Sequence, residues 1–274
     1  MKNRITSAVT IIFFFTAIVL FNRTFPIALN IAIALISVLA VFEIISALGL
    51  SKNVILLVPS IIFSAVLPFI ENFILLQTAY FVYTLVMFGA LILYHQFVTF
   101  RELGVIYSMA LLIPTALQTI VDVRRCGGEH GMFYVIIAIS SAWVADTGAY
   151  LAGSFWGKHK LCPNISPKKT VEGVIGGFVL NIAAMLLFGF LFEVPYYQHS
   201  VTVSYLSLFI IGFVGTIISI LGDLSFSLIK RSCHIKDFSE IIPGHGGILD
   251  RFDSVIFEAP FVYLLVQILP IVIK

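Results

Sequence analysis

Residues 205–222, YLSLFIIGFVGTIISILG, run without a charged side chain and then meet 223–231, DLSFSLIKR. The first part decides the fold. About 20 mostly apolar residues are needed to carry a helix across the hydrocarbon core of a bilayer. A backbone in that medium must satisfy its own polar groups, which a helix does internally. The second part puts a carboxylate, hydroxyls and two cations where such a helix would reach the membrane surface.

Working outward, similar apolar runs recur at 5–21, 25–42, 54–70, 73–94, 103–121, 132–152, 174–192 and 255–273. With 205–222 they predict nine spans and an all-α, polytopic membrane fold with a polar site facing the cytoplasm. Composition agrees: 60% of the 274 residues are hydrophobic and 11% charged. A soluble domain averages about 25% charged, so this chain cannot cover itself against water. Its net charge of +2 offers no basic stripe for nucleic acid. Cys126, Cys162 and Cys233 are scattered, with no CxxC pair for zinc or a disulfide framework. Lys2 and Arg4 precede the first run as in a secretory signal. No small-x-small cleavage site stands before Asn22, so the run reads as a first membrane helix. No repeat or hydrophilic linker divides the chain; it reads as one membrane domain, 1–130 carrying spans and 131–274 carrying the polar motifs.

Charge tests the topology. With a cytoplasmic N-terminus and nine alternating spans, twelve Lys and Arg residues fall inside, while only Arg23, Arg124, Arg125 and Lys274 fall outside. That is the positive-inside bias. It also places the two most polar loops in the cytoplasm, where nucleotides are.

Those loops, 146–173 and 223–253, hold half of all Asp, Glu, Lys and Arg. An acid at membrane depth is costly unless paired, hydrated or metal-bound. If the helix of 205–222 continues, Asp223, Ser227, Lys230 and Arg231 share a face; a snorkelling Lys–Arg pair at a helix end would look the same. In 236–254, KDFSEIIPGHGGILDRFDS, Pro243 and glycines 244, 246 and 247 break the helix and let backbone N–H groups approach a ligand. Asp250 and Asp253 then stand three apart on one side of a turn. Converging with Asp223, they would suit a hard cation; ordinary ion pairs such as Asp250–Arg251 are the simpler alternative. His245 reads better as a loop hydrogen-bonder than as a ligand, and GHGG lacks the spacing of a dinucleotide fingerprint. Asp146 lies inside an apolar segment, with Gly153 and Gly157 on its face as close-packing positions. Beyond it, Lys158, His159, Lys160, Lys168 and Lys169 surround Ser166, Thr170 and Glu172. Such a loop suits a polyphosphate or an anionic headgroup.

The run from 227 to 253, SLIKRSCHIKDFSEIIPGHGGILDRFD, resembles the signature of the phosphatidate cytidylyltransferases, also called CDP-diacylglycerol synthases. The SxxKR start, KDxS middle and PxHGGxxDRxD end match without a gap. DTGAY, GKHKL and ISPKKTVEG between 146 and 173 look like the family's other marked region. Residues 1 to 130 carry no motif, and 122–131 matches nothing in the family.

The resemblance implies an enzyme that uses CTP, phosphatidate and a divalent metal, Mg²⁺, singly or as a pair. Asp223 and Asp250 match the family's metal-binding acids, and Asp253 a third signature acid. Ser166, Lys169, Thr170 and Glu172 match positions assigned to nucleotide or phosphate handling; Lys168 occupies a variable one. Asp146, Ser227, Lys236, His245, Gly246, Gly247 and Arg251 complete the expected substrate-binding set. Lys230 and Arg231 would receive the lipid phosphate. The expected setting is a bacterial-type inner membrane, with membrane lipid as surroundings and a homodimer left open. A CTP-dependent polyprenol or phytol kinase shares nucleotide and membrane, and an ion-coupled transporter using Asp146 and Asp223 would share the buried acids. The complete 227–253 signature favours the cytidylyltransferase, and no paired repeat supports a transporter.

Overall fold

The computed structural model describes residues 16, 18–19, 22, 24–242 and 246–273. The expected 5–21 span therefore lies almost wholly outside the described residues, as do Pro243, Gly244 and His245.

Eight α-helices follow: α1 (Ala28–Ala47), α2 (Val54–Val66), α3 (Phe73–Leu93), α4 (Phe100–Cys126), α5 (Gly131–Trp156), α6 (Val171–Leu191), α7 (Tyr205–Ser232) and α8 (Leu249–Ile268). Two small antiparallel pairs supplement them: β1 (Lys160–Cys162) with β2 (Ser166–Thr170), and β3 (Thr202–Val203) with β4 (Val272–Ile273). The helical, polytopic membrane reading stands, but the count of nine does not follow from the described residues. Six helices are long and apolar enough to cross a bilayer, namely α1 and α3 to α7, some with short extensions. Helix α2 with its following turn is shorter. Helix α8 begins six residues before the expected 255 and carries Asp250, Arg251, Asp253 and Glu258; it stops at 268, because the chain then turns to pair as β4. The other bounds run past their apolar stretches. α7 continues to Ser232 and α1 to Ala47, since Lys, Arg and Glu are good helix formers and only end an apolar count.

The chain forms two compact units: residues 1–121 with 233–252, and 122–232 with 253–274. The glycine-rich part of the signature thus groups with the N-terminal helices.

In the first unit, α3 begins at Asn72, whose Oδ1 accepts from the N–H groups of Ile74 and Leu75 at 2.8 and 3.2 Å, a standard N-cap. Its outer face carries Phe73, Ile74, Leu75, Phe81, Leu85, Ile92 and Leu93, all exposed. Water would penalise such a face, and acyl chains would not. Against α2, Phe63 stacks on Tyr83 with centroids 4.4 Å apart, and Tyr83 shares a 2.9 Å hydrogen bond with Ser60. Buried Asn30 of α1 donates to the Pro68 carbonyl at 2.7 Å.

The second unit is built on small residues. Gly173, Gly177, Asn181, Met185 and Gly189 recur every four residues along the buried face of α6. A Cβ on Gly148 of α5 would stand 2.8 Å from the Gly176 carbonyl oxygen, and one on Gly176 would collide with the Ala152 side chain. Gly153 and Gly157 press likewise on Thr170, as their packing role predicts. Asn181 serves three helices, donating to Ser141 of α5 and to the Gly212 carbonyl and Thr216 of α7 at 3.0–3.2 Å. Phe133, Ile137, Met185, Leu208, Ile211, Val262 and Val266 close the core between α5, α6, α7 and α8.

Candidate active site

Three helix contacts assemble the polar centre of the second unit. Asp146 sits on α5 where that helix faces α7 and α8. Its carboxylate accepts from Ser254 Oγ at 2.8 Å and from Ser219 Oγ at 3.5 Å. Gly222 lets α8 approach α7, because a Cβ there would lie 2.9 Å from the Asp253 carbonyl oxygen and 3.1 Å from the Phe257 ring. Asp223, the next residue, comes close enough to Asp146 and Asp253 for the three carboxylates to interact electrostatically.

Two lysines answer them. Lys169 of β2 reaches Asp223 with Nζ 2.5 Å from Oδ2, while Ser227 donates to Oδ1 of the same carboxylate at 3.2 Å. Lys230, one helical turn beyond Ser227 and buried, faces Asp253 at 3.9 Å. Asp253 also accepts from its neighbour's N–H, Ser254 N, at 2.8 Å. The expected face of Asp223, Ser227 and Lys230 is thus present on α7, whereas Arg231 beside it is exposed.

The hairpin that delivers Lys169 is held by its own motif. Thr170 caps α6 by accepting from the Gly173 N–H at 3.1 Å, and is buried against the α5 glycines. Glu172 accepts from the backbone N–H groups of Lys158 and His159 at 3.1 and 3.2 Å and meets His159 Nδ1 at 2.6 Å. Its oxygens bind the loop base. Ser166 is half-buried at the start of β2, opposite Cys162, and Lys168 is exposed.

Within the first unit, the glycine-rich segment is organised around Asp250. Its Oδ2 accepts from Phe238 N at 2.8 Å and Gly247 N at 3.0 Å, and Ile242 N donates to the Gly246 carbonyl at 2.9 Å. Gly246 sits at φ +83, a left-handed conformation that favours glycine. The Gly247 N–H, expected to face a ligand, is spent on Asp250. Lys236 is exposed and Arg251 half-buried. Asp223 and Asp250 belong to different units; the acids that the structure groups with Asp223 are Asp146 and Asp253.

The donor set of that group fits Mg²⁺. It is all oxygen, and three acids face two lysines. Among the described residues no three acids, histidines or cysteines form a ready-made metal cage. Mg²⁺ seldom needs one, because it commonly binds through one or two carboxylates and completes its shell with water and substrate phosphates.

Ser219, Ser254 and Glu258 escape a reading of the sequence. Serines in apolar runs are ordinary, and only the crossing of three helices shows that two of them hold Asp146. Glu258 did carry a signal, an acid within an apolar run. It is fully buried, beside Ser141 and pressed against Gly215, close enough to Asp146 to feel its charge.

Comparison with known proteins matches this chain to a family. A family model described as the cytidylyltransferase family matches residues 2–269. The phosphatidate cytidylyltransferase of Bacillus subtilis is 38% identical over 170 residues, 62% of this chain and 60% of that protein. Those of Haemophilus influenzae and Synechocystis sp. are each 42% identical, over 135 and 139 residues; these cover 48% and 51% of this chain and 45% of each relative. The chain thus spans roughly half of the length of the curated relatives it matches. With a family match that runs almost from end to end, this chain belongs to the cytidylyltransferase family.

Proposed function

We propose that this protein transfers cytidylate from CTP to phosphatidate, giving CDP-diacylglycerol and pyrophosphate. One observation carries the reading: Lys169 of the 166–172 motif and Asp223 at the head of the 223–231 motif meet in one centre, beside Asp146, Asp253 and Lys230. The names of the relatives supply the substrates.

The phosphate monoester of phosphatidate is mostly dianionic near neutral pH, since its second pKa is about 6. No strong base is needed to activate it. An oxygen of that phosphate attacks the α-phosphorus of CTP, the new P–O bond forms, and the bond to the β-phosphate oxygen breaks with pyrophosphate leaving. The barrier is the approach of one anion to another. Lys169 would turn from Asp223 to the triphosphate, and Lys230 with exposed Arg231 would receive the lipid phosphate at headgroup depth. Asp223 and its neighbours Asp146 and Asp253 would hold Mg²⁺, which when bound would neutralise charge on the phosphate oxygens. Ser166, Thr170 and Glu172 would act through the hairpin they shape. The setting proposed is a bacterial inner membrane with the N-terminus and the site on the cytoplasmic side, consistent with the positive-inside pattern.

CTP labelled separately at the α- and γ-phosphates tests the reaction type. Purified protein with phosphatidate and Mg²⁺ should pass the α-label to lipid and release the γ-label in pyrophosphate. Transfer of the γ-label to lipid would make the protein a kinase instead.

A further inference from the structure

Glu43 lies in a stretch of sequence with no motif, yet it is 1% exposed inside α1 and carries a carboxylate. Burying such a charge costs several kcal/mol unless it is well hydrogen-bonded. Both oxygens are engaged, and every partner belongs to the signature segment about 200 positions away. Oε1 accepts from Ser239 Oγ at 2.5 Å and from Ile248 N at 2.9 Å; Oε2 accepts from Leu249 N at 2.8 Å. Leu249 opens α8, so the carboxylate sits against the positive end of a 20-residue helix dipole. Asp250 takes the N–H of Gly247. Together the two acids satisfy three consecutive amides, of which those of Ile248 and Leu249 are ones that a helix start leaves without partners. Gly247 is shaped to this contact, because a Cβ there would stand 2.5 Å from Glu43 Oε2.

We infer that Glu43 is a positioning residue for the signature loop: it clamps Ser239 on one flank and the start of α8 on the other, and so fixes the setting of Asp250. The inference rests on the activity proposed above for its kinetic consequence, though its structural half stands alone. It also gives α1 a role in holding the signature segment within its own unit.

The test uses the full-length protein in detergent, with Glu43→Gln, Glu43→Ala and Gly247→Ala. Glutamine keeps the shape of glutamate and one acceptor, but turns a donor toward one of the amides. Amide hydrogen exchange at Ile248 and Leu249 should quicken in all three variants. Turnover should fall about 10- to 100-fold, the usual cost of losing a partner that orients a ligand residue, which is the role the family resemblance gives Asp250, with a much smaller change in KM for CTP. Glu43→Gln should retain more activity than Glu43→Ala. Gly247→Ala should add little to Glu43→Ala in the double variant, because the clash it creates has been removed. Wild-type exchange at both amides in the Glu43 variants, or wild-type turnover in them, overturns the inference. If the wild-type protein turns over no CTP, the proposed activity falls, and exchange alone then decides the role of Glu43.

Discussion

Lys169 and Asp223 are each about one-fifth to one-quarter exposed, a position in which a charge pair is neither fully screened by water nor buried out of a substrate's reach. Replacing Lys169 with Met leaves Asp223 without its cation and the triphosphate without its counter-charge. Turnover should drop about 10²–10³-fold, the range typical for loss of one electrostatic stabiliser, while Lys169→Arg should retain part of it; steady-state kinetics on purified protein checks both. Ser254→Ala removes the 2.8 Å hydrogen bond to Asp146. It should cost about 1.5–3 kcal/mol, as for hydrogen bonds to charged groups, read as a lower thermal midpoint in detergent. Asp146, Lys169 and Asp223 were legible in the sequence because charges stand out against an apolar background. The serines that hold Asp146 were not, since their role exists only where α5, α7 and α8 cross. Glu43 was hidden for a related reason: its partners lie at the far end of the chain, and its own helix was expected to end at residue 42.

At the scale of elements, α5 and α6 lie so close that Gly148 and Gly176 leave no room for side chains. Gly148→Leu should therefore destabilise the second unit by about 1–3 kcal/mol, the usual cost of overpacking, and should lower the thermal midpoint even with Asp146 and Lys169 intact. A wild-type midpoint would show that the helices can part without penalty. The packing role of Gly153 and Gly157 was readable from their spacing. The β1–β2 hairpin was not, because 160–170 is lysine-rich and polar and lacks the alternation that marks a strand. What holds it is Glu172 reaching back to the amides of Lys158 and His159, a tertiary contact that neither segment announces alone.

For the whole molecule, composition alone gave the membrane, because an 11% charged chain has no other solvent. Span bounds were less legible. Hydropathy finds where apolar residues stop, whereas α7 and α1 continue on residues that simply form good helix. The proposed orientation predicts that a cysteine at exposed position 168, in a cysteine-free background, reacts with a membrane-impermeant maleimide only in inverted vesicles. Labelling in intact cells would place the site outside. Everything proposed for this protein turns on the centre around Asp223 performing cytidylyl transfer. Pyrophosphate release from CTP, measured on purified wild-type and Asp223→Asn proteins with phosphatidate and Mg²⁺, tests it most directly. The prediction is release matched one-to-one by CDP-diacylglycerol in the wild type, and a loss of about 10²-fold or more in the variant; undiminished release by folded Asp223→Asn protein would contradict it.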